Sequence, residues 1–247
     1  MDRRLQLRLR DARDAVRRLV LTMRAERHTE RDVELSSRPA STSAAAAVAA
    51  TLGVTEAEYH TTVDELWKPE VKDDSAPADH GARDALQNVI GAIVKLTKPM
   101  VVVETGAAKG FTSAVILAAL EANGEGQLYS MDVAAAQSSP EEVPGSAVPE
   151  SYRSRWTVEL RPSRQVLPEL VQHVAPIDVS LHDAEHSHAG QLEEYRTVWP
   201  ELRSGGVMVC DDVRGPAFLE FTEEAGAEPR LIGGDEPRAP VGIVRKP

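Results

Sequence analysis

The sequence predicts an α/β fold in which a parallel sheet of seven strands is flanked by helices and preceded by a helical N-terminal extension. From residue 99 onward, short β-branched runs alternate with helical stretches, which is typical of repeated strand–helix units. Acidic residues follow several of these runs, as expected where parallel strands end at one edge of a sheet. The length of 247 residues favours one domain with an extension over two full domains.

Composition excludes several classes of protein. The net charge of −11 disfavours a protein that neutralises nucleic-acid backbones, so we expect no nucleic-acid partner. No apolar run reaches the roughly 18 residues that a membrane span needs. The single Cys210 excludes an internal disulfide framework, and the arginine-rich N-terminus lacks the apolar stretch of a secretory signal. We therefore expect a cytoplasmic protein without a membrane partner.

The N-terminal extension, residues 1–76, is predicted to be helical. Residues 1–31 hold ten arginines, and apolar residues recur there with the alternating spacing of four and three that marks a heptad seam. The seam consists of Leu5, Leu9, Ala12, Val16, Leu19 and Met23. Because it spans fewer than three heptads, an amphipathic helix packed on its own domain or on a neighbouring subunit is favoured over an independent coiled coil. We expect a homodimer or higher homo-oligomer.

A Ser/Thr/Ala-rich stretch at 36–50 precedes a second helix, for which Thr55 and Glu58 form a capping box and which should reach about Trp67. A third helix, Asp79–Lys98, leads into the catalytic part, residues 77–247. The predicted strands are Met100–Val103, Gln127–Met131, Thr157–Leu160, Asp178–Leu181, Val207–Cys210, Arg230–Ile232 and Val241–Arg245. The helices between them are Thr112–Ala122, Arg164–His173, Gly190–Trp199 and Pro216–Ala225, and Ala134–Ser151 is predicted to be a loop.

A turn of small residues follows the first predicted strand. Gly106 and Gly110 would let the backbone approach a bound nucleotide, and the helix beginning near Thr112 offers N–H groups to a carboxylate or phosphate. Ala108 stands where the dinucleotide-binding fingerprint has its second glycine, and no Gly-Lys-Ser/Thr follows to make a P-loop. The turn therefore indicates a nucleotide-type cofactor, although a close strand-to-helix turn explains it equally well.

Acidic residues at the ends of other predicted strands add to the evidence for a ligand site at this edge of the sheet. Asp132 follows the second strand, where a carboxylate can accept both hydroxyls of a ribose. Asp183 follows the fourth strand, and Asp211 and Asp212 follow the fifth. Because these two strands are expected neighbours, the three carboxylates should converge and require a cation to offset their repulsion. The pattern indicates a hard divalent metal.

Four motifs carry a resemblance to a known family. They are Glu-Thr-Gly-x-x-x-Gly at 104–110, Ser-Met-Asp at 130–132, Asp-Ala-Glu-His at 183–186 and Gly-Gly-Val-x-Val-x-Asp-Asp at 205–212. Over residues 77–247 the chain resembles class I S-adenosylmethionine-dependent methyltransferases. Its acid pattern is similar to that of the cation-dependent O-methyltransferases, both the caffeoyl-CoA and catechol types and the natural-product tailoring types.

The resemblance implies a Rossmann-like, mostly parallel seven-stranded sheet with an antiparallel last hairpin. It implies methyl transfer from S-adenosylmethionine to a hydroxyl of a small molecule, with a natural-product or sugar-type acceptor expected. The implied cofactor-binding residues are Glu104, Gly106, Gly110, Thr112, Asp132 and Ser163, and the implied metal ligands are Asp183, Asp211 and Asp212. Magnesium is the expected metal because the predicted ligands are all oxygens.

His186 departs from the catechol-type pattern, which places a proton-accepting lysine three residues after the first metal acid. We predict His186 as the general base and Asp183 as both metal ligand and partner of that base. Ser163 is predicted to contact the adenine edge, although a helix N-cap explains it equally well.

Two alternatives from other classes stay open at this stage. The same fold could bind S-adenosylmethionine without catalysis, as a structural or regulatory subunit. A metal-dependent hydroxylase or hydrolase is the second alternative, and its working site would be the cluster His182, His186 and His188.

Overall fold

A computed structural model describes residues 41–67, 80–133, 144–233 and 240–247. The helices are α1 (Ala44–Leu52), α2 (Glu56–Glu65), α3 (His80–Thr97), α4 (Phe111–Asn123), α5 (Ser163–Val174), α6 (His188–Val198) and α7 (Ala217–Glu224). The strands are β1 (Val101–Thr105), β2 (Gln127–Met131), β3 (Trp156–Glu159), β4 (Ile177–His182), β5 (Leu202–Cys210), β6 (Pro229–Ile232) and β7 (Val241–Arg245). Short 3₁₀ helices cover Glu150–Arg155 and Trp199–Glu201.

The seven strands form one sheet in the order β3-β2-β1-β4-β5-β7-β6. Strands β1 to β5 pair in parallel, and β7 runs antiparallel to both β5 and β6. The predicted fold class, a Rossmann-like and mostly parallel sheet flanked by helices, is confirmed. Because β1 and β4 are adjacent at the centre of this order, the loops that follow them meet at the carboxyl edge of the sheet.

The core has two parts, one on each face of the sheet. Alternate residues of β1 divide between them, since Val102 packs with α3 and α4 whereas Val103 packs with α5 and α6. Helix α4 is apolar over most of its length and is buried at every position from Ser113 to Leu120. It ends at Asn123, where Gly124 takes the left-handed conformation with φ of 77°, as the predicted Asn-Gly stop requires.

The N-terminal helices in the described part share this core. Helix α1 was expected to be low-complexity chain, but Ser43 caps it through its hydroxyl and Gly53 ends it with φ of 75°. Its alanines pack against α3 and the sheet, and Thr42 adds an isolated parallel bridge to Ile232 of β6. These contacts tie the segment before α1 to the edge of the sheet.

The capping box at the start of α2 is confirmed. The Thr55 amide donates to Glu58 Oε2 at 2.8 Å, and the Glu58 amide donates to Thr55 Oγ1 at 3.2 Å. The helix ends at Glu65, two residues before the predicted limit, because Leu66 turns to an extended conformation. The predicted loop at 134–151 is shorter in the structure, since its last two residues belong to the 3₁₀ helix that precedes β3.

Some predictions lie outside the described residues. They are the heptad seam in residues 1–31, the start of the Ser/Thr/Ala-rich stretch at 36–40, Asp79 at the start of the predicted third helix and residues 134–143 of the predicted loop. Among the described helices, none is both long enough and apolar enough to span a membrane.

Candidate functional site

The glycine turn after β1 is packed against the chain itself. Gly106 has φ of 88°, its amide donates to the Met131 carbonyl at 2.9 Å, and a Cβ here would stand 1.9 Å from the Asp183 carbonyl oxygen. At Gly110, with φ of 86°, a Cβ would stand 2.7 Å from Val148 and 2.8 Å from Gly145. The close approaches that the sequence predicted toward a nucleotide are therefore made to the protein's own backbone and side chains.

A cavity of about 340 Å³ opens beside this turn. The ends of β2 and β4 and the start of α5 line it, so it contains Gly106, Asp132, Ser163 and Asp183 from the predicted set. Such a volume lies within the range of small-molecule sites. The other three predicted cofactor residues, Glu104, Gly110 and Thr112, do not line this cavity.

Asp132 projects from the end of β2 into the cavity. Its carboxylate accepts a hydrogen bond from the Ala108 amide in the glycine turn, so the acid and the turn are held together. Burial raises the pKa of the Asp132 carboxyl, and hydrogen bonds from the Ala108 and Val133 amides act in the opposite direction.

Glu104 lies beneath the turn and is fully buried at the end of β1. Its Oε2 accepts hydrogen bonds from the hydroxyls of Ser113 and Ser130, each at 2.6 Å, and its Oε1 has no partner in the described part of the chain. Burial raises the pKa of this carboxyl to about 7, above its ordinary value of 4.5. Thr112 lies in the first turn of α4 and is half-buried.

Asp183, His186 and Asp211 form a cluster at the carboxyl ends of β4 and β5. Each offers one ligand atom, and these atoms lie within 4.8 Å of one another. Backbone pairing fixes the loops, because the Asp183 amide donates to the Thr105 carbonyl and the Asp211 amide donates to the His182 carbonyl, both at 2.8 Å. Burial raises the pKa of the Asp183 carboxyl well above its ordinary range, and the neighbouring Asp211 charge adds to the rise.

Asp212, predicted as the third acid of this group, takes other partners. Its backbone has φ of 49°, and its Oδ1 accepts a hydrogen bond from Arg214 Nε at 2.6 Å. The same carboxylate lies 3.3 Å from Nδ1 of His186. Although burial opposes it, the neighbouring side chains of His186 and Arg214 lower the pKa of Asp212 to about 2. The structure thus places His186, rather than Asp212, with Asp183 and Asp211.

The three histidines do not form one site. His182 is buried, and its Nδ1 lies 2.7 Å from Oε2 of Glu194. His188 begins α6, and its Nε2 lies 2.8 Å from Glu220 of α7. Only His186 stays with the acids: its Nε2 is 3.8 Å from Asp183, and neither ring nitrogen has a hydrogen-bonding partner among the described residues. This separation contradicts the metal site of three histidines.

Ser163 begins α5, but its hydroxyl makes no capping bond and donates to Glu194 Oε1 instead. The N-cap explanation is therefore wrong. Glu194 is a buried acid on α6 that lines the cavity, and it was not predicted from the sequence. One signal could have identified Glu194: it lies at helical spacing on the stripe of α6 that is buried, which consists of Gln191, Glu194, Tyr195 and Val198.

Comparisons with known proteins agree with this architecture. Residues 103–213 match a family model described as a methyltransferase domain. The structure is similar to that of the O-methyltransferase TomG from Streptomyces achromogenes, involved in tomaymycin synthesis and solved with SAM. The sequence identity is 15%, the match covers 81% of this chain and 89% of TomG, and the TM-score is 0.50.

A second similar structure is a candidate caffeoyl-CoA O-methyltransferase from Staphylococcus aureus. Here the identity is 12%, the coverage is 76% of this chain and 89% of the other, and the TM-score is 0.51. No curated protein sequence gives a significant match. The matched segment runs from β1 to the loop after β5, and so contains Glu104, Asp132, Asp183 and Asp211. Residues 103–213 therefore match a methyltransferase domain, and the chain shares the Rossmann-like fold of these two solved structures.

Proposed function

We propose that this protein is an O-methyltransferase that moves the sulfonium methyl of S-adenosylmethionine to a hydroxyl of a small molecule with the help of a divalent metal. The observation that carries the proposal is the position of Asp183. It lines the 340 Å³ cavity and also belongs to the cluster with His186 and Asp211. Asp183 therefore belongs both to the proposed cofactor site and to the cluster proposed to bind a cation and a proton.

The cavity suits the nucleoside part of S-adenosylmethionine. Asp132 stands where the hydroxyls of a ribose can donate to its carboxylate, and Ser163 stands at the other side of the cavity, at the start of α5. Glu104, Gly110 and Thr112 support the floor of the site without lining it. In this proposal Glu104 braces the turn through Ser113, and Gly110 admits the segment that contains Val148.

The donor set fits a divalent cation. Two carboxylates and the His186 imidazole lie within ligand distance of one another, and the Asp212 carboxylate lies 3.3 Å from the same imidazole. Asp183 and Asp211 would hold the ion, and Asp212, which pairs with Arg214, would have to turn to join them as the third ligand. When bound, the ion would lower the pKa of an acceptor hydroxyl and stabilise the oxygen as it loses its proton. The oxygen ligands favour magnesium.

His186 would take the proton. Its ring lies next to both Asp183 and Asp212, and these carboxylates stabilise the imidazolium that forms. A lone pair of the hydroxyl oxygen attacks the methyl carbon, the new C–O bond forms as the C–S bond breaks, and the electron pair of that bond stays on sulfur. The products are a methyl ether, S-adenosylhomocysteine and protonated His186.

The proposed class of acceptor is based on the two similar structures. TomG is involved in tomaymycin synthesis, and the Staphylococcus aureus protein is a candidate caffeoyl-CoA O-methyltransferase. We propose a natural-product or sugar-type hydroxyl as the acceptor. A panel of catecholic, sugar and polyketide alcohols, each incubated with labelled S-adenosylmethionine, tests this assignment.

The test of the central proposal is methyl transfer to an acceptor from that panel before chelation, after chelation, and after magnesium is returned. We expect chelation to abolish transfer and magnesium to restore it. Asp211→Asn should weaken magnesium binding measured by calorimetry and lower transfer by at least 10²-fold, about the effect of losing one metal ligand or its support. Asp64→Asn, an exposed acid on α2, is the matched control and should change neither quantity.

Full transfer in the presence of chelator would exclude the role of the metal. His186→Ala separates the two roles open to the imidazole. As a general base, His186 should leave magnesium affinity unchanged and reduce turnover by about 10²- to 10⁴-fold, whereas lost magnesium binding in this variant would identify it as a ligand. If S-adenosylhomocysteine does not bind the protein at all, the proposed function is wrong.

A further inference from the structure

Asp212 lies outside the cluster at the ends of β4 and β5, although it is the next residue after Asp211. Two hydrogen bonds from Arg214 hold it there. The Arg214 amide donates to the Asp212 carbonyl at 2.8 Å, and Arg214 Nε donates to Asp212 Oδ1 at 2.6 Å. The turn is tight, since Asp212 has φ of 49°, in the left-handed region. Arg214 therefore contacts both the backbone and the carboxylate of Asp212.

The two partners of this ion pair differ in exposure. The Arg214 side chain is 48% exposed, whereas the Asp212 side chain is 23% exposed and its Oδ2 lies 3.3 Å from Nδ1 of His186. A guanidinium stays charged over the whole ordinary pH range, so the pair does not depend on pH through Arg214. Because exposed ion pairs contribute little to stability, Arg214 can exchange Asp212 for water at small cost.

A divalent cation would compete with Arg214 for the same carboxylate. Asp183, Asp211 and Asp212 follow neighbouring strands, and their charges repel one another. The guanidinium brings one positive charge to Asp212, whereas a cation bound between the acids brings two. Asp212 can join Asp183 and Asp211 as a ligand only by turning toward them, and that turn breaks its hydrogen bond with Arg214 Nε.

Resting on the proposed binding of a divalent metal, we infer that Arg214 is a positioning residue that holds Asp212 away from the cluster until a cation binds. Asp212 then turns toward Asp183 and Asp211, and the Arg214 guanidinium moves into solvent. Since breaking the ion pair opposes this turn, Arg214 lowers the affinity of the site for the cation. The arginine thus regulates when the third acid becomes a ligand.

The first experiment measures magnesium binding by calorimetry with the full-length wild type, Arg214→Met and Arg230→Met. Arg214→Met removes the guanidinium but keeps the backbone N–H that closes the turn. Arg230 is the matched control, because it pairs with Glu228 at the same spacing of two residues, with Nη2 3.1 Å from Oε2. We expect Arg214→Met to bind magnesium about three- to tenfold more tightly than the wild type, and Arg230→Met to bind it equally.

Removal of a positive charge near the site could raise magnesium affinity without any exchange of partners. The Asp212→Asn background separates the two causes in a double-mutant cycle. If Arg214 acts by holding the Asp212 carboxylate, Arg214→Met should change magnesium affinity by less than about twofold in this background. An equal gain in both backgrounds would mean that Arg214 acts only through its charge, and would overturn the inference. Thermal unfolding checks that each variant is folded.

The second experiment follows the release of Arg214 directly in the wild type. Its Nε–H signal in a proton–nitrogen correlation spectrum is assigned by its absence from Arg214→Met. We expect saturating magnesium to move this signal to the position of an arginine that is hydrogen-bonded only to water. A signal that magnesium does not move would overturn the inference while leaving the proposed function intact. If neither the wild type nor Arg214→Met binds magnesium, the proposed role of the metal fails, and with it the inference.

Discussion

Glu104 shows how one buried acid can hold a binding turn in place. Its carboxyl joins β1, β2 and α4, because it accepts hydrogen bonds from Ser130 of β2 and Ser113 of α4. The indole N–H of Trp156 in β3 donates to Ser130 Oγ at 2.8 Å and extends the network to a fourth element. This hydrogen-bonded network therefore supports the backbone of the glycine turn.

This arrangement predicts a pH dependence of folding stability. The pKa of Glu104 rises from 4.5 to about 7 on folding, so the folded state binds this proton more tightly than the unfolded state does. The contribution is fully present below pH 4.5 and is lost as the pH rises through 7, a loss of about 3 kcal/mol in the free energy of unfolding. Glu104→Gln has no titratable carboxyl at this position, so the variant should lack this contribution to the pH dependence.

Urea unfolding of the wild type and Glu104→Gln at pH 5 and pH 8 measures this difference. We expect the wild type to lose more stability between the two pH values than the variant does. The same change with pH in both proteins would show that folding does not raise the pKa of Glu104.

Asp132 gives a second prediction at this scale. Its carboxylate lines the cavity and accepts the Ala108 amide. Asp132→Ala should weaken S-adenosylhomocysteine binding by about 10- to 100-fold, since hydrogen bonds to a charged group contribute about 1.5–3 kcal/mol. Calorimetry on the variant and on the exposed-acid control Asp64→Asn checks it, and unchanged affinity in Asp132→Ala would remove the ribose assignment.

Among single residues, the sequence predicted best those at strand ends. Asp132, Asp183 and Asp211 were identified because a parallel sheet gathers whatever follows its strands. Glu194 was not, because its partners come from two other elements and their meeting depends on how α5 and α6 pack on β4.

At the scale of elements, the turn between β1 and α4 depends on glycine for a reason the sequence alone did not reveal. The missing side chain at Gly106 makes room for the Asp183 carbonyl, 1.9 Å from where a Cβ would stand. Gly106→Ala should therefore destabilise the protein by more than about 3 kcal/mol, through both backbone strain and displacement of the loop after β4.

Gly124 is the matched control for this substitution. It also has a positive φ, of 77°, but open space surrounds the position of its missing Cβ. Gly124→Ala should cost only about 1–2 kcal/mol, the strain of a left-handed alanine. Equal losses of stability in the two variants, measured by urea unfolding, would mean that the contact between Gly106 and Asp183 is unimportant.

Helices and strands were predicted where the hydrophobic periodicity agreed with the residues that start and stop these elements. The seven strands and the helices between them were found, with most boundaries shifted by one or two residues and with β5 beginning at Leu202, five residues before its predicted start. Helix α1 was missed because a run of alanines has no apolar periodicity, although Ser43 and Gly53 mark its ends. Cap residues were the better signal there.

For the whole molecule, the order of the strands assembles the site from distant parts of the chain. Strands β1, β4 and β5 are neighbours in the sheet, so the turn after β1 meets the loops that carry Asp183 and Asp211. This convergence was predictable from topology. The exchange of Asp212 for His186 in the cluster was not, because it depends on the local pairing of Asp212 with Arg214.

The assembly of whole molecules gives the last prediction, which concerns the heptad seam in residues 1–31. The sequence places six apolar residues on one stripe of a segment that also holds ten arginines, whereas the chain as a whole has a net charge of −11. An apolar stripe is costly to leave in water, and a basic segment is attracted to an acidic partner surface, so we expect the segment to join two copies of the chain.

Deletion of residues 1–30 should therefore convert a dimer or higher oligomer into a monomer, with the mass measured by light scattering. Calorimetry with S-adenosylhomocysteine is the control for an intact fold. Leu9→Gln with Val16→Gln in the full chain should have the same effect, since both positions belong to the apolar stripe and neither changes the charge. An oligomer of unchanged mass in both variants would mean that the stripe only covers its own domain.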